Sequence, residues 1–139
     1  MSNETLTQEQ LQARLANSPF NAFLGIEIQS ANSETQELTA RVSLRPEFER
    51  GRGTGQWHGG VIASLIDIVG DYGLVMLLAR PLPTINFRVD YLRPAINTSL
   101  LIVARVRRAG KSIGVVDIDV LNEDNALVAV GRANYSTLA

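Results

Sequence analysis

The chain has 139 residues, 45% hydrophobic and 19% charged, which fits a globular protein with a substantial core and excludes an intrinsically disordered one. It has no cysteine and one histidine, so disulfides and thiolate metal sites are excluded and a histidine-built metal site is disfavoured; no metal and no cofactor are expected. A formal net charge of −1 argues against a nucleic-acid partner.

Residues 1–139 are expected to form one domain, with 1–24 as an N-terminal helical segment. Met1 to Gln12 is polar and lacks the basic and apolar regions of a secretion signal, so a cytoplasmic location is expected. Thr7-Gln8-Glu9-Gln10 has the form of a capping box, followed by Leu11 and Leu15 at i, i+4. This predicts a short amphipathic helix ending near Ser18-Pro19, then a further helical turn over Phe20 to Leu24. Gly25 to Ala31 is expected to be a strand, Asn32-Ser33-Glu34 a turn, and Thr35 to Leu44 a second strand with Leu38, Ala40, Val42 and Leu44 on one face. Arg45 to Gln56 has a proline, three glycines and no period. It reads as a loop delivering the chain into a helix, a common place for binding residues.

From Trp57-His58-Gly59-Gly60 to Ala79 the chain is apolar nearly all the way round, until Pro81 and Pro83 stop it. Length and breadth of the apolar surface favour a buried helix. Ser64, Asp67 and Asp71 lie at i, i+3 and i+7 and form one stripe. The common alternative is that this stripe is simply the wet side of a surface helix. The window is long enough to span a membrane, but each aspartate would cost roughly 2.5–3.5 kcal/mol near its middle, so no membrane partner is expected.

Every later segment reads as strand: Thr84 to Arg93, with Ile85, Phe87, Val89 and Tyr91 on one face; Leu100 to Arg108; Ile113 to Leu121; and Ala126 to Thr137. The last three are hairpin-linked and therefore antiparallel. One long apolar helix must bury nearly its whole circumference, and a single curved antiparallel sheet wrapped round it would do that. The class is α+β.

The N-terminus of the long helix offers chemistry. Its first N–H groups lack intrahelical partners and carry the positive end of the macrodipole. Gly59 and Gly60 leave those groups open to a ligand carbonyl, as an oxyanion site for acyl transfer requires. Asp67 lies about 12 Å from Gly59 along the axis, at about 1.5 Å per residue, so one chain cannot bring both to the same carbonyl carbon. A second chain with its helix antiparallel to the first could, giving two equivalent sites about a twofold axis. Gly70 and Gly73 could permit that close helix approach; the alternative is that they are simply tolerated packing residues.

His58-Gly59-Gly60 followed nine residues on by Asp67, then Thr84 to Tyr91-Leu92-Arg93-Pro94, resembles the hotdog-fold acyl-CoA thioesterases of the phenylacetate-pathway (PaaI) type. The resemblance runs from about Pro19 to Thr137. It implies a sheet wrapped round a central helix, a homodimer sharing its sites, often a homotetramer, and an acyl-CoA substrate. It further implies that the Gly59 N–H polarises the thioester carbonyl, that His58 shapes the turn and helps hold the thioester group, that Asp67 activates water or attacks directly, and that Thr84 helps position the water. Gly60, Ser64, Arg52, Gln56 and Asp71 complete the residues expected to face the substrate. Two of these depart from the pattern. Arg52 stands where some members have Asn or Gln, and Asp71 stands where a small or hydroxyl residue would. Two carboxylates at i, i+4 repel, so one should hold its proton more tightly. Asp71 is expected to make ionisation of Asp67 harder.

Two other functions fit the same fold. A hydratase or dehydratase needs a His and an acid as a pair, and the single histidine stands in the thioesterase position. A non-catalytic acyl-CoA binder is the other, because a fold does not prove catalysis. Arg88, Arg93, Arg105, Arg107 and Arg108 are candidates for the CoA phosphates.

Overall fold

The computed structural model describes residues 4–139. In chain order the elements are α1 (Gln8–Asn17), α2 (Pro19–Leu24), β1 (Glu27–Asn32), β2 (Glu37–Val42), α3 (Gly59–Leu78), β3 (Thr84–Tyr91), β4 (Leu100–Ala109), β5 (Ile113–Leu121) and β6 (Leu127–Ser136). The six strands form one sheet in the order β1-β2-β4-β5-β6-β3, antiparallel at every pairing. After α3 the chain crosses the sheet, so β3 lies at the edge opposite β1.

Local chemistry sets the element ends. Thr7 caps α1 in a complete capping box with Gln10. Gly25 closes α2 in the left-handed region at φ 68°, which is why β1 starts two residues later than the sequence predicts. β2 is shorter than expected at both ends, with Gln36 left-handed just before it. The strand expected to reach Arg93 stops at Tyr91, where the Leu92 and Arg93 N–H groups both turn to the Val128 carbonyl.

α3 lies on the sheet. Leu65, Ile66, Val69, Leu74 and Met76 are buried against Ala40, Ile102, Ala104, Val116, Ile118 and Tyr135. A Cβ on Gly70 would sit 2.6 Å from the Tyr135 hydroxyl, and one on Gly73 would meet Ala104 and Val106. Gly70 thus lets the helix seat closely on its own sheet, while at Gly73 a side-chain carbon would be in ordinary contact with it. The helix is long and apolar enough to cross a membrane, yet half of its apolar window is buried inside the protein.

The curved sheet wraps the side of α3 that carries Leu65, Ile66, Val69 and Leu74. α1 covers part of the rest through Leu11 and Leu15, with the Leu6 N–H donating to the Met76 carbonyl. Ser64, Asp67, Ile68 and Asp71 remain half-buried along the uncovered stripe.

The two sheet edges differ. Along β1, glutamine side chains of α1 occupy backbone groups: Gln8 and Gln12 donate to the Ile28 and Ile26 carbonyls, and Gln12 accepts from the Ile28 N–H. Along β3 the outer edge is bare, and Ile85, Phe87 and Tyr91 are exposed. The outward faces of β2, β4, β5 and β6 carry a charge ladder: Arg105 pairs with Glu37 and Asp119, and Asp117 with Arg107 and Arg132.

Candidate active site

The segment expected to be a plain loop is tightly pinned. Pro46–Phe48 forms one 3-10 turn. Phe48 is buried, stacks on Trp57 at 5.6 Å between centroids, and meets Phe23 edge-on at 5.9 Å. The Arg45 guanidinium lies 4.3 Å from the Phe48 centroid and 4.7 Å from that of Phe23. The Glu49 carboxylate accepts from the Gly53 and Gly55 N–H groups. Gly55 itself has φ 66°, and a Cβ there would fall 1.9 Å from the Asn97 side-chain oxygen, so a larger residue would add backbone strain and displace Asn97. Trp57 is held by its indole N–H on the Thr98 carbonyl and by its backbone N–H on Ala95. The start of α3 is thereby fixed in place.

His58 is the N-cap of α3. Its Nδ1 accepts from the Gly60 N–H at 2.8 Å, which commits that N–H to the imidazole. The Val61 and Ile62 N–H groups reach back to the His58 carbonyl. The Gly59 N–H has no acceptor among the described residues. It opens into a cleft of about 420 Å³ whose walls include Arg50, Gln56, Ile62, Tyr91 and Arg93. The Tyr91 hydroxyl donates to the Gly59 carbonyl. A Cβ on Gly59 would stand 3.4 Å from the Tyr91 ring, in ordinary contact, so the backbone tolerates a side chain there while the cleft loses space.

Two turns along α3, the Asp67 carboxylate accepts from the Thr84 hydroxyl at 2.8 Å, a bond joining α3 to the first residue of β3. The Asp67 backbone carbonyl accepts from the buried Tyr135 hydroxyl at 2.7 Å, which ties this turn of the helix to β6. Burial, chiefly, drives the Tyr135 phenol far above its ordinary range, so it serves as a fixed donor. Ser64 bonds back to the Gly60 carbonyl at 2.9 Å and so satisfies its hydroxyl within the helix.

Asp71 differs from Asp67. Its Oδ1 is enclosed and has no hydrogen-bond partner among the described residues. Burial, and then the charge of Asp67, push its carboxyl up to about 7. Asp71 is therefore the member of the pair that keeps its proton, while Asp67 has the Thr84 donor. Below about 7 Asp71 itself has little charge to exert on its surroundings.

The structure thus gathers Gly59 and Gln56 at one cleft, with His58 and Gly60 forming the cap beside it, and gathers Asp67 and Thr84 at a second place on the exposed stripe. Arg52 joins neither. It stands exposed in the turn between Gly51 and Thr54, outside the walls of the cleft, and Arg50 occupies the wall instead. Arg50 carried no motif to mark it for this cleft, and Tyr91, though inside the Thr84 to Pro94 motif, was given no role there; the bridge of Glu49 to Trp57 and the β3 register bring them to it. Of the arginines proposed for phosphates, Arg88, Arg105 and Arg107 are paired with carboxylates. Arg93 and Arg108 have no ion pair among the described residues, and Arg93 alone of the five lines the Gly59 cleft.

Comparison with known proteins places this arrangement. The family model described as the thioesterase superfamily matches residues 54–129, which contain α3, Asp67 and Thr84. The medium/long-chain acyl-CoA thioesterase YigI of Escherichia coli K12 is 30% identical, over 84% of each chain. Among solved structures, an X-ray structure of a thioesterase-superfamily protein superposes with a TM-score of 0.86 at 32% identity, covering 93% of this chain and 96% of that one. The PaaI protein of the Escherichia coli phenylacetic acid degradation operon gives a TM-score of 0.82 at 25% identity, covering 94% and 92%.

Proposed function

The chain belongs to the thioesterase superfamily and is a thioester hydrolase of the hotdog fold, and from that premise we propose that it hydrolyses acyl-CoA with Gly59 of one subunit and Asp67 of another. The observation that carries this reading is the Asp67 carboxylate held by Thr84 on the open stripe of α3, on the same helix whose terminal Gly59 N–H is unpaired. The two lie about 12 Å apart along the axis. An antiparallel second α3, set against the stripe, supplies each Asp67 with a Gly59. The bare β3 edge and its exposed apolar side chains give a second copy a reason to bind there. The assembly is a homodimer, and pairing of dimers into a tetramer fits the family resemblance.

In this site the Gly59 N–H and the dipole of α3 stabilise the negative charge that develops on the thioester oxygen. His58 keeps that turn in shape through its bond to Gly60. Thr84 occupies one oxygen of Asp67 and leaves the other for water. Asp67 takes a proton as the water oxygen bonds to the acyl carbon. The carbon–sulfur bond breaks, and the proton passes to the departing sulfur. Direct attack by Asp67 gives the same products through a mixed anhydride that water then opens. Arg50 and Arg93 stand in the cleft where the CoA arm would leave, and suit its phosphates. The medium or long acyl chain named for the similar E. coli enzyme is a reasonable first substrate class to test.

A hydratase reading needs a His and an acid as a pair, and is disfavoured because His58 Nδ1 accepts from the Gly60 N–H while Asp67 is bonded to Thr84, so the two are not paired with each other. Turnover on a panel of acyl-CoAs tests the proposal: wild type should release free CoA, and Asp67→Asn should bind acyl-CoA with little release. Binding without release by wild type would make the protein a carrier instead.

A further inference from the structure

The strand β3 reaches α3 at both of its ends. Thr84, its first residue, donates to the Asp67 carboxylate at 2.8 Å, and Tyr91, its last, donates to the Gly59 carbonyl at 2.5 Å. The chemistry proposed above uses the first of these bonds and not the second. Yet the second falls on the turn that must present the Gly59 N–H. The peptide unit between Gly59 and Gly60 is held at both edges. Its carbonyl accepts from Tyr91, and its N–H donates to His58 Nδ1 at 2.8 Å. The preceding peptide unit carries the Gly59 N–H, and its carbonyl, on His58, accepts from the Val61 and Ile62 N–H groups. The Gly59 Cα is the joint between the two units. Glycine has the most backbone freedom to lose, and the first N–H groups of a helix have no helical acceptor. Two glycines in succession there form a turn that frays unless side chains hold it. A preorganised oxyanion donor requires that freedom to be removed before substrate arrives. The Tyr91 ring also lies against this joint, within 3.4 Å of where a Cβ would stand. Burial holds the phenol above its ordinary range, so it keeps the proton it donates.

We propose that Tyr91 is a positioning residue for thioester hydrolysis, its hydroxyl holding the first turn of α3 so that the Gly59 N–H stays aimed at the thioester oxygen; the inference rests on Gly59 being the oxyanion donor. β3 then sets both halves of the chemistry, Asp67 through Thr84 and Gly59 through Tyr91. In the antiparallel dimer those two groups serve different sites, so each site is aligned by two β3 strands, one from each subunit. The competing role for a phenol in a cleft is a direct bond to the substrate. Here the hydroxyl proton is already committed to the Gly59 carbonyl, which leaves the oxygen only as an acceptor. The two roles separate in kinetics: alignment acts on kcat, and a substrate bond formed on binding acts on KM.

Tyr91→Phe keeps the ring and removes only the hydroxyl. In the full-length protein its kcat on an acyl-CoA should fall about 3- to 10-fold, the effect of one neutral hydrogen bond, with KM little changed. Affinity for an acyl-CoA thioether analogue, which has no carbonyl, should be unchanged. Amide hydrogen exchange without substrate reads the turn itself. Exchange at the Gly60 N–H should quicken by a similar factor, while Leu65 and Ile66 further along α3 keep their protection. The proposal is overturned if kcat is unchanged, or if the loss appears in KM and in thioether affinity. It is equally overturned if Gly60 exchanges as in wild type, or if Leu65 and Ile66 lose protection to the same extent, which would make the hydroxyl a general stability contact. Gly59→Val is assayed in parallel. Full activity there would remove the oxyanion reading itself, whereas an inactive Gly59→Val beside a fully active Tyr91→Phe would remove only the role of Tyr91.

Discussion

Asp71 offers a direct test of what burial does to a carboxyl on α3. The group is raised from 3.8 to about 7, first by burial and second by Asp67. In the unfolded chain it is ionised above about pH 4. Between there and about 7 the native state therefore binds a proton that the unfolded state does not. The linkage relation then makes stability fall as pH rises, by roughly 1.4 kcal/mol per pH unit, or about 4 kcal/mol across the window. Below the unfolded value this loss is absent, and above the folded value it is complete. Asparagine has nearly the same shape and does not titrate. The stability of Asp71→Asn relative to wild type should accordingly rise by about 4 kcal/mol between about pH 4 and 8. Urea unfolding at one fixed protein concentration, repeated across that range, gives the difference directly; fixed concentration matters because subunit association adds to apparent stability. Other titrating groups largely cancel in the difference. In an Asp67→Asn background the same slope should survive over a narrower pH window, because burial is the larger cause and Asp67 the smaller. A difference that stays flat with pH, or that shrinks as pH rises, would refute the assignment of the retained proton to Asp71.

Three further outcomes follow from the geometry. Asp67→Asn and Gly59→Val homodimers should each be nearly inactive, the second losing about 10²–10³ in rate as an oxyanion donor is obstructed; refolded together, they should recover roughly a quarter of wild-type activity through mixed dimers with one intact site. Mixed dimers that form and stay inactive would exclude a shared site. Thr84→Val removes the hydroxyl that donates to Asp67 at 2.8 Å and should lower kcat by about tenfold with KM little changed, with Thr84→Ser restoring it. Gly55→Ala places a Cβ 1.9 Å from the Asn97 oxygen at φ 66° and should cost about 1–3 kcal/mol in chemical denaturation, whereas Gly53→Ala, with a similar φ but open space, should cost less.

The parts of the fold that repeat were readable. The strand alternation Val116, Ile118, Val120 against Asp117, Asp119 is reproduced in burial, and the capping box at Thr7 closes as its spacing requires. His58-Gly59-Gly60 was readable as a helix start because unpaired N–H groups are a property of any helix end. What could not be read are the contacts between elements with no shared period. Nothing in Arg45 to Gln56 announces that Phe48 stacks on Trp57 under the Arg45 guanidinium. For the same reason Arg52 was placed at the substrate and Arg50 was not: in a turn of this kind, neighbouring side chains point to different places, and only the Glu49–Trp57 bridge decides which faces the cleft. Gly70 shows the same limit. A small residue on a helix predicts close approach, but not that the surface approached at Gly70 is the chain's own β5 and β6.

The seating of α3 on its own sheet bears on how a shared site would be built. If Gly70 lets α3 approach that sheet closely, the opposite stripe is free to be shaped by chemistry rather than by close helix packing. Ser64, Asp67 and Asp71 stand on that stripe with larger apolar neighbours such as Ile68. Two such helices would therefore meet with space between them, set by side chains and not by backbone contact. A carbonyl and the start of an acyl chain need that space. The sheet side of α3 supplies rigidity, through the Tyr135 hydroxyl on the Asp67 carbonyl and the fit of Gly70 beneath it. The position of the Asp67 carboxylate is then fixed from both flanks, by β6 behind the helix and by Thr84 on β3 at its side. A carboxylate supported in this way loses little freedom on reaching the transition state, which is what an acid acting across a subunit boundary requires.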